Sequence, residues 1–352
     1  MLRTTDRGLY CEAGDFYIDP WAPVARAVVT HAHGDHLTWG CDAYLVTEAG
    51  AAVSRVRLGS WAGGLECMPY GATRSINGVT VSFHPAGHIL GSAQVRLEYR
   101  GEVWVVSGDY KTDPDPTCEP WEPVHCHTFI TESTFGLPIY RWPPQQQVFA
   151  DINSWWAANA RDGQVSLLCA YALGKAQRLI AGLDPSVGPI LTHGAVERMT
   201  ALYRQGGVSL PPTRHASDAL RDKAMAGAMV IAPPSVTGST WLRRFGEVRT
   251  AFASGWMRVR GARRRRGVDA GFTLSDHVDW PQLLAAVEAT GAQRVWVTHG
   301  FTGPVVQWLT ERGLEARAIA TRWEGERDDA AVDASDSDTG SSVSETVVEP
   351  AP

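Results

Sequence analysis

The sequence predicts an α/β protein in which a strand-rich unit is interrupted by a second unit of alternating helices and strands and then resumed. Three observations predict it. Short apolar runs with period-2 alternation recur through residues 1–144, helices and strands alternate regularly over 145–257, and polar turns rich in histidine and aspartate follow strands on both sides of that alternation. Strands alternating with helices imply a parallel sheet, and 352 residues suffice for one large domain or two ordinary ones.

Taken in order, Gly8–Cys11 and Asp15–Pro20 read as two short strands joined by a glycine-containing turn. Ala27-Val28-Val29 is a buried strand that runs directly into Thr30-His31-Ala32-His33-Gly34-Asp35-His36, with Asp35 and His36 expected on the first turn of a short helix. Tyr44–Val46 is a strand, and a helix opens at Thr47-Glu48 and runs to about Leu58. Val79–Phe83 alternates as a strand and leads to Gly87-His88, where glycine lets the backbone approach a site closely. A hairpin at Arg100-Gly101 joins strands 94–99 and 102–107, the second ending in Gly108-Asp109-Tyr110-Lys111, and strand 129–131 runs into Glu132-Ser133-Thr134-Phe135-Gly136. The alternating unit follows, with helices to 160, 173–183, 195–205 and around Trp241, and strands 165–170, 189–192, 228–232 and 250–253. Beyond it come Leu274-Ser275-Asp276-His277-Val278-Asp279, a helix to Thr290, strand 294–298 ending at His299-Gly300, and a final helix and strand to Ala320. The predicted boundaries are 1–144 and 258–323 for the split unit, 145–257 for the insertion, and 324–352 for an aperiodic, disordered tail.

The net charge of −6 is a property of that tail. It holds nine acidic residues and one arginine, which leaves 31 basic and 29 acidic side chains, about +2, on the body. No apolar run approaches a membrane span and the first residues lack a signal peptide's apolar core, so a cytoplasmic protein with no membrane contact is expected. The six cysteines have no Cys-x-x-Cys spacing and read as reduced, mostly buried thiols.

Three imidazoles and a carboxylate within six residues would be costly to bury uncompensated, and they are ligands that zinc takes. One partition of the candidates gives a first metal to His31, His33, His88 and Asp109, and a second to Asp35, His36, Asp109 and His299. Asp109 then bridges, at the roughly 3.5–4 Å metal separation that suits hydrolysis of a phosphoester or acyl bond. A departing alkoxide needs a proton, which His277 could supply, with Glu132 holding its imidazole; Asp35, Glu132 and His277 are therefore the catalytic candidates. Phosphate contacts are expected from Arg258, Arg260 and Arg263 in the arginine-rich run, from Ser254 just before it, and from Lys175 and Arg178 at a helix start, although the last two equally suit a solvent-facing surface. His84, His125, His127, His193 and His215 lack matching context and read as structural or exposed.

These motifs resemble the metallo-β-lactamase fold, and within it the β-CASP nucleases. His31-x-His33-x-Asp35-His36, His88 and Asp109 match the fold's metal motifs, Asp19 matches the aspartate near its start, and Glu132, His277 and His299 match the three motifs of the β-CASP branch. Tyr171-Ala-Leu-Gly-Lys-Ala-Gln-Arg178 and Ser107-Gly-Asp-Tyr-Lys111 are phrases of the bacterial DNA ligase-associated exonucleases, which the run from Asp19 to about Trp323 resembles most. The resemblance implies an αββα sandwich with an inserted β-CASP domain, two zinc ions with manganese as the alternative, and hydrolysis of DNA phosphodiesters in repair or end processing. It also implies that His277 protonates the leaving group and that the protein works alongside an ATP-dependent DNA ligase and a helicase. The competing readings are an RNA-processing nuclease of the same branch, a small-molecule hydrolase such as a lactonase or thioesterase, and a non-catalytic nucleic-acid-binding protein. A lactonase would leave the long insertion and His299 without a purpose.

Overall fold

The computed structural model describes residues 1–321 apart from Arg260, Ala262, Arg263 and Arg265. The acidic tail, and Arg260 and Arg263 among the phosphate-binding candidates, thus lie outside the described residues.

Two mixed sheets face each other. The first follows the chain as β1 (Leu2–Thr5), β2 (Gly8–Cys11), β3 (Phe16–Ile18), β4 (Arg26–Val28), β5 (Ala43–Thr47) and β6 (Leu65–Met68). The second contains β7 (Thr73–Ile76), β8 (Val79–Pro85), β9 (Ala93–Tyr99), β10 (Glu102–Val106), β11 (Thr128–Ser133), β18 (Arg294–Gly300) and β19 (Glu315–Ala318), in the spatial order β19-β18-β11-β10-β9-β8-β7. Successive side chains of a strand point to opposite faces. Val28 and Leu45 therefore meet Val95, Leu97, Trp104, Ile130 and Trp296 between the sheets, while Ala27, Tyr44 and Val46 pack outward against α1 (Ala51–Leu58). Likewise Val105, Phe129, Val295 and Val297 point away from the first sheet, onto α7 (Trp280–Thr290) and α8 (Thr302–Glu311). Each sheet thus has a helical layer on its outer face.

A third sheet, with every pairing parallel, holds β12 (Val165–Cys169), β13 (Ile190–Thr192), β14 (Arg214–His215), β15 (Met229–Ala232), β16 (Val248–Ala253) and β17 (Ala270–Phe272), in the order β14-β13-β15-β12-β16-β17. Its central strands are buried along their whole length, as expected of a parallel sheet covered on both faces. The cover on one face includes α2 (Gln145–Arg161), α3 (Lys175–Gly182) and α4 (Gly194–Gln205), whose Ile152, Trp156, Ala176, Leu179 and Val196 pack on Leu168, Ile231 and Ala251. Met199 and Tyr203 of α4 also reach the core beside α1, and the Tyr203 hydroxyl accepts the Leu90 amide at 3.0 Å, so this unit is packed onto the sandwich.

The third sheet continues to Phe272, about fifteen residues beyond the expected boundary at 257; Ala270-Gly271-Phe272 is too short to show alternation. Two expectations are corrected. The chain at Asp35-His36 makes a single turn, with His36 N and Leu37 N both donating to His33 O, and no helix follows. The helix expected from Thr47 starts at Ala51, because Thr47 ends β5 and its hydroxyl accepts the Gly50 amide at 3.0 Å and donates to Gly91 O at 2.5 Å.

Candidate metal centre

Strand direction assembles the site. β10, β11 and β18 are mutually parallel, and β8 runs the same way because it is antiparallel to β9, which is antiparallel to β10. Their C-terminal ends therefore lie along one edge of the second sheet, where His88, Asp109, Glu132 and His299 follow β8, end the Ser107–Asp109 turn, and close β11 and β18 respectively. The first sheet delivers the Thr30–His36 turn to the same edge, and the Ala93 amide donates to Thr30 O at 2.8 Å to fasten the two. Gly108 (φ +56°) permits this approach, since a Cβ there would stand 2.6 Å from the Thr30 Cβ.

Asp19 organises the turn. One carboxylate oxygen accepts the Thr30 amide at 2.8 Å; the other accepts the Thr30 hydroxyl at 2.6 Å and lies 2.7 Å from His36 Nδ1. That contact turns His36 Nε2 inward, where it is buried without a hydrogen-bond partner, 3.4 Å from Asp109 Oδ2 and 3.6 Å from Asp35 Oδ2. His33 Nδ1 stands 3.1 Å from both His31 Nε2 and His88 Nε2, and Asp109 Oδ2 lies 3.6 Å from His31 Nε2 and 3.8 Å from His88 Nε2. Four ligands on zinc at about 2.0–2.1 Å would be about 3.3 Å apart, so these four donors are spaced as the corners of such a site. The other faces of the rings are held by backbone: His33 Nε2 is 3.2 Å from Leu173 O and His88 Nδ1 is 2.8 Å from Asp276 O, contacts that fix which nitrogen faces inward.

The donors form two groups that share Asp109: His31, His33, His88 and Asp109, and Asp35, His36 and Asp109, with the ligand atoms of each group within 4.8 Å of one another. His299, in the left-handed region at φ +53°, stacks on His36 with ring centroids 5.6 Å apart, so it borders the second group. A third group, Asp109, Glu132 and His277, adjoins them.

Burial, reinforced by neighbouring imidazoles, pushes His33 down to about 3, His88 to about 4 and His31 well below its usual range, so all three are neutral near pH 7 with lone pairs free to bind a cation. Burial opposes charge on His36 as well, but Asp109, Asp35 and Asp19 around it prevail and hold its pKa well above the ordinary value. Burial would raise Asp109, yet His36 and His277 keep it ionised. The carboxylates thus demand positive charge at the centre, and the neutral imidazoles offer the donors to hold it, a combination that fits divalent metal.

Beside this centre, His277 Nδ1 lies 2.9 Å from both oxygens of Glu132, which also accepts the Tyr110 amide at 3.0 Å and the Thr134 hydroxyl at 2.5 Å. The His277 and His88 rings are 4.8 Å apart, and the Trp142 indole donates to His277 O at 2.9 Å. Phe135, Tyr140, Trp142 and Trp256 form an aromatic wall on this side, a feature not inferred from sequence because Trp256 lies more than a hundred residues from the other three.

The phosphate candidates divide. Arg258 is exposed. Ser254 is fully buried, and its hydroxyl accepts the Trp256 amide at 3.3 Å. Lys175 and Arg178 are also buried, facing Asp276 and Asp115 rather than solvent, so the solvent-facing reading does not hold. Of the remaining histidines, His193 and His215 cap α4 and the helix Ala216–Arg221, and His84 pairs with Glu122 at 3.0 Å.

No family model matches the chain. It is 39% identical over 316 residues to a protein of Opitutus terrae named as a probable DNA ligase, a match covering 89% of this chain and 30% of that one. It is 33% identical over 125 residues to the endoribonuclease Ysh1 of Gibberella zeae, covering 34% of this chain and 14% of that one. The chain thus spans less than a third of the length of either relative. A crystal structure of an Enterococcus faecalis protein of unknown function shares the fold, with a TM-score of 0.52 at 11% identity over 77% of this chain and 74% of that one. The chain is thereby related in sequence to proteins named for joining and for cutting nucleic acid, and it carries a histidine–aspartate cluster able to hold metal.

Proposed function

We propose that the protein is a β-CASP-type metallo-β-lactamase-fold nuclease that hydrolyses phosphodiester bonds of DNA from an end. The observation that carries this reading is the pair of metal-competent donor groups joined at Asp109, with the His277–Glu132 pair set beside them. His31, His33, His88 and Asp109 would hold one zinc ion, and Asp35, His36 and Asp109, bordered by His299, the other; manganese is the alternative. Bound there, two divalent cations supply an activated water and neutralise the charge of a phosphoester. Glu132 accepts a hydrogen bond from His277 Nδ1 and so orients the ring, leaving Nε2 to give a proton to the departing sugar oxygen. The aromatic wall excludes water from that proton's path, and Arg258, with Arg260 and Arg263, attracts the phosphate backbone.

DNA is favoured because the relative matching 89% of this chain is named as a DNA ligase, which also supports end processing alongside a ligase. The endoribonuclease match over about a third of the chain favours RNA as the second reading. Parallel incubation of metal-loaded protein with end-labelled DNA and RNA tests both: shortening of DNA from one end supports the proposal, and preferential RNA cleavage overturns it.

A further inference from the structure

The sandwich and the inserted unit are joined where the chain leaves at residue 145 and returns before residue 275, and one side chain lies at both crossings. Arg178, on the first turn and a half of α3, is 2% exposed. Its Nε donates to Gln145 Oε1 at 2.9 Å, and Nη2 reaches the same oxygen. Nη1 donates to Asp276 Oδ1 at 3.0 Å and to Ser275 O, and Nε lies 3.1 Å from Asp115 Oδ2 on the sandwich. Lys175 Nζ, fully buried one turn earlier, stands 3.5 Å from Asp276 Oδ2, so the two cations grip both oxygens of one carboxylate. The buried Lys111 lies beside them and pairs at 2.9 Å with Asp113, whose carboxylate is half-exposed, which gives three buried cations against the buried Asp115 and Asp276 and the half-exposed Asp113.

The gripped segment leads to the site in two directions. Asp276 O lies 2.8 Å from His88 Nδ1, and the next residue is His277. We propose that Arg178, assisted by Lys175, is a positioning residue that locks the Ser275-Asp276-His277 turn and so aims His277 Nε2 at the leaving group, a role that rests on the nuclease reading above. Sequence spacing suggests phosphate binding for these two cations, but a fully buried ammonium and a guanidinium already forked onto a carboxylate, a carbonyl and an amide oxygen serve the turn. Buried pairs of this kind specify geometry, and removal of one partner leaves a charge uncompensated.

The test uses the full chain with Arg178→Gln, the conservative Arg178→Lys, and Arg249→Gln at an exposed ion pair as control. Hydrogen exchange of the metal-free proteins reads the turn directly. Amides of 274–279 should exchange at least tenfold faster in Arg178→Gln, less so in Arg178→Lys, and no faster in Arg249→Gln. On metal-loaded protein, kcat for an oligonucleotide should fall at least tenfold with KM within about twofold. Hydrolysis of bis(p-nitrophenyl) phosphate, whose leaving group needs no proton, should change less than threefold. Unchanged exchange in the turn, or equal loss on both substrates, overturns the proposal. If Arg178→Gln does not fold, Arg178→Lys carries the same comparison, and wild-type-like exchange and kinetics in it overturn the proposal. Wild-type protein inactive on both substrates would refute the nuclease reading, while the exchange data would still decide whether Arg178 holds the turn.

Discussion

Replacing His277 by alanine separates proton delivery from metal binding. The imidazole meets Glu132 at 2.9 Å through Nδ1, and Glu132 keeps the Tyr110 amide and Thr134 hydroxyl when the ring is gone, so the carboxylate stays hydrogen-bonded and the strand that carries it stays in place. His277 stands outside the two donor groups that hold the metals in the proposed scheme, 4.8 Å from His88 between ring centroids. General-acid catalysis is worth typically 10²–10⁴-fold, which corresponds to about 3–5 kcal/mol of barrier. The expected result for His277→Ala is a loss of that size in kcat on an oligonucleotide, with metal per chain unchanged by elemental analysis. The loss should be far smaller on bis(p-nitrophenyl) phosphate, because nitrophenolate departs unprotonated. Release of metal, or parallel losses on both substrates, would refute the assignment of His277 as the acid and make it a ligand.

His33→Ala removes the nitrogen that lies 3.1 Å from two other donors, and should abolish cleavage together with metal from the first group, as read by elemental analysis. Gly108→Ala forces a Cβ to within 2.6 Å of Thr30 at a φ of +56°, and should lower the melting temperature and weaken metal binding together. Trp156, fully buried with its indole donating to Gly227 O at 2.9 Å, should cost roughly 3–5 kcal/mol of stability when changed to alanine, measured by denaturant unfolding. Burial pushes the Cys126 and Cys169 thiols up to about 11, so both remain protonated below that pH in the folded protein; alkylation at pH 8 should spare them until the chain is unfolded. Neutralising Arg263 to Arg266 together should weaken nucleic-acid binding and flatten its salt dependence; an unchanged slope would make the run a surface loop.

The six donors of the candidate centre were legible in the sequence because five sit in two short polar turns and the sixth is a strand-end aspartate, each directly after an apolar strand, and a short motif specifies its own local geometry. The parallel sheet was legible from the regular alternation of helices and strands, whose strands, such as Val165–Cys169 and Met229–Ala232, are short, mostly apolar runs buried along their length. Strands Leu65–Met68, Thr73–Ile76 and Arg214–His215 alternate weakly and are largely exposed or half-buried, so nothing local marked them. Lys175 and Arg178 show the larger limit. Helical spacing says that they share a face, but what covers that face is Asp115 and Asp276, brought there by chain sixty and a hundred residues away. The same distance hid the bordering position of His299, which depends on the register of β18 beside β11 and on a left-handed backbone at the strand's end.

Anomalous diffraction at the zinc edge from crystals of the zinc-loaded protein tests the central claim most directly. Two peaks about 3.5–4 Å apart, one enclosed by His31, His33, His88 and Asp109 and the other beside Asp35 and His36 with Asp109 between them, are the predicted result. A single peak that does not touch Asp109, or zinc bound only elsewhere on the surface, would contradict it.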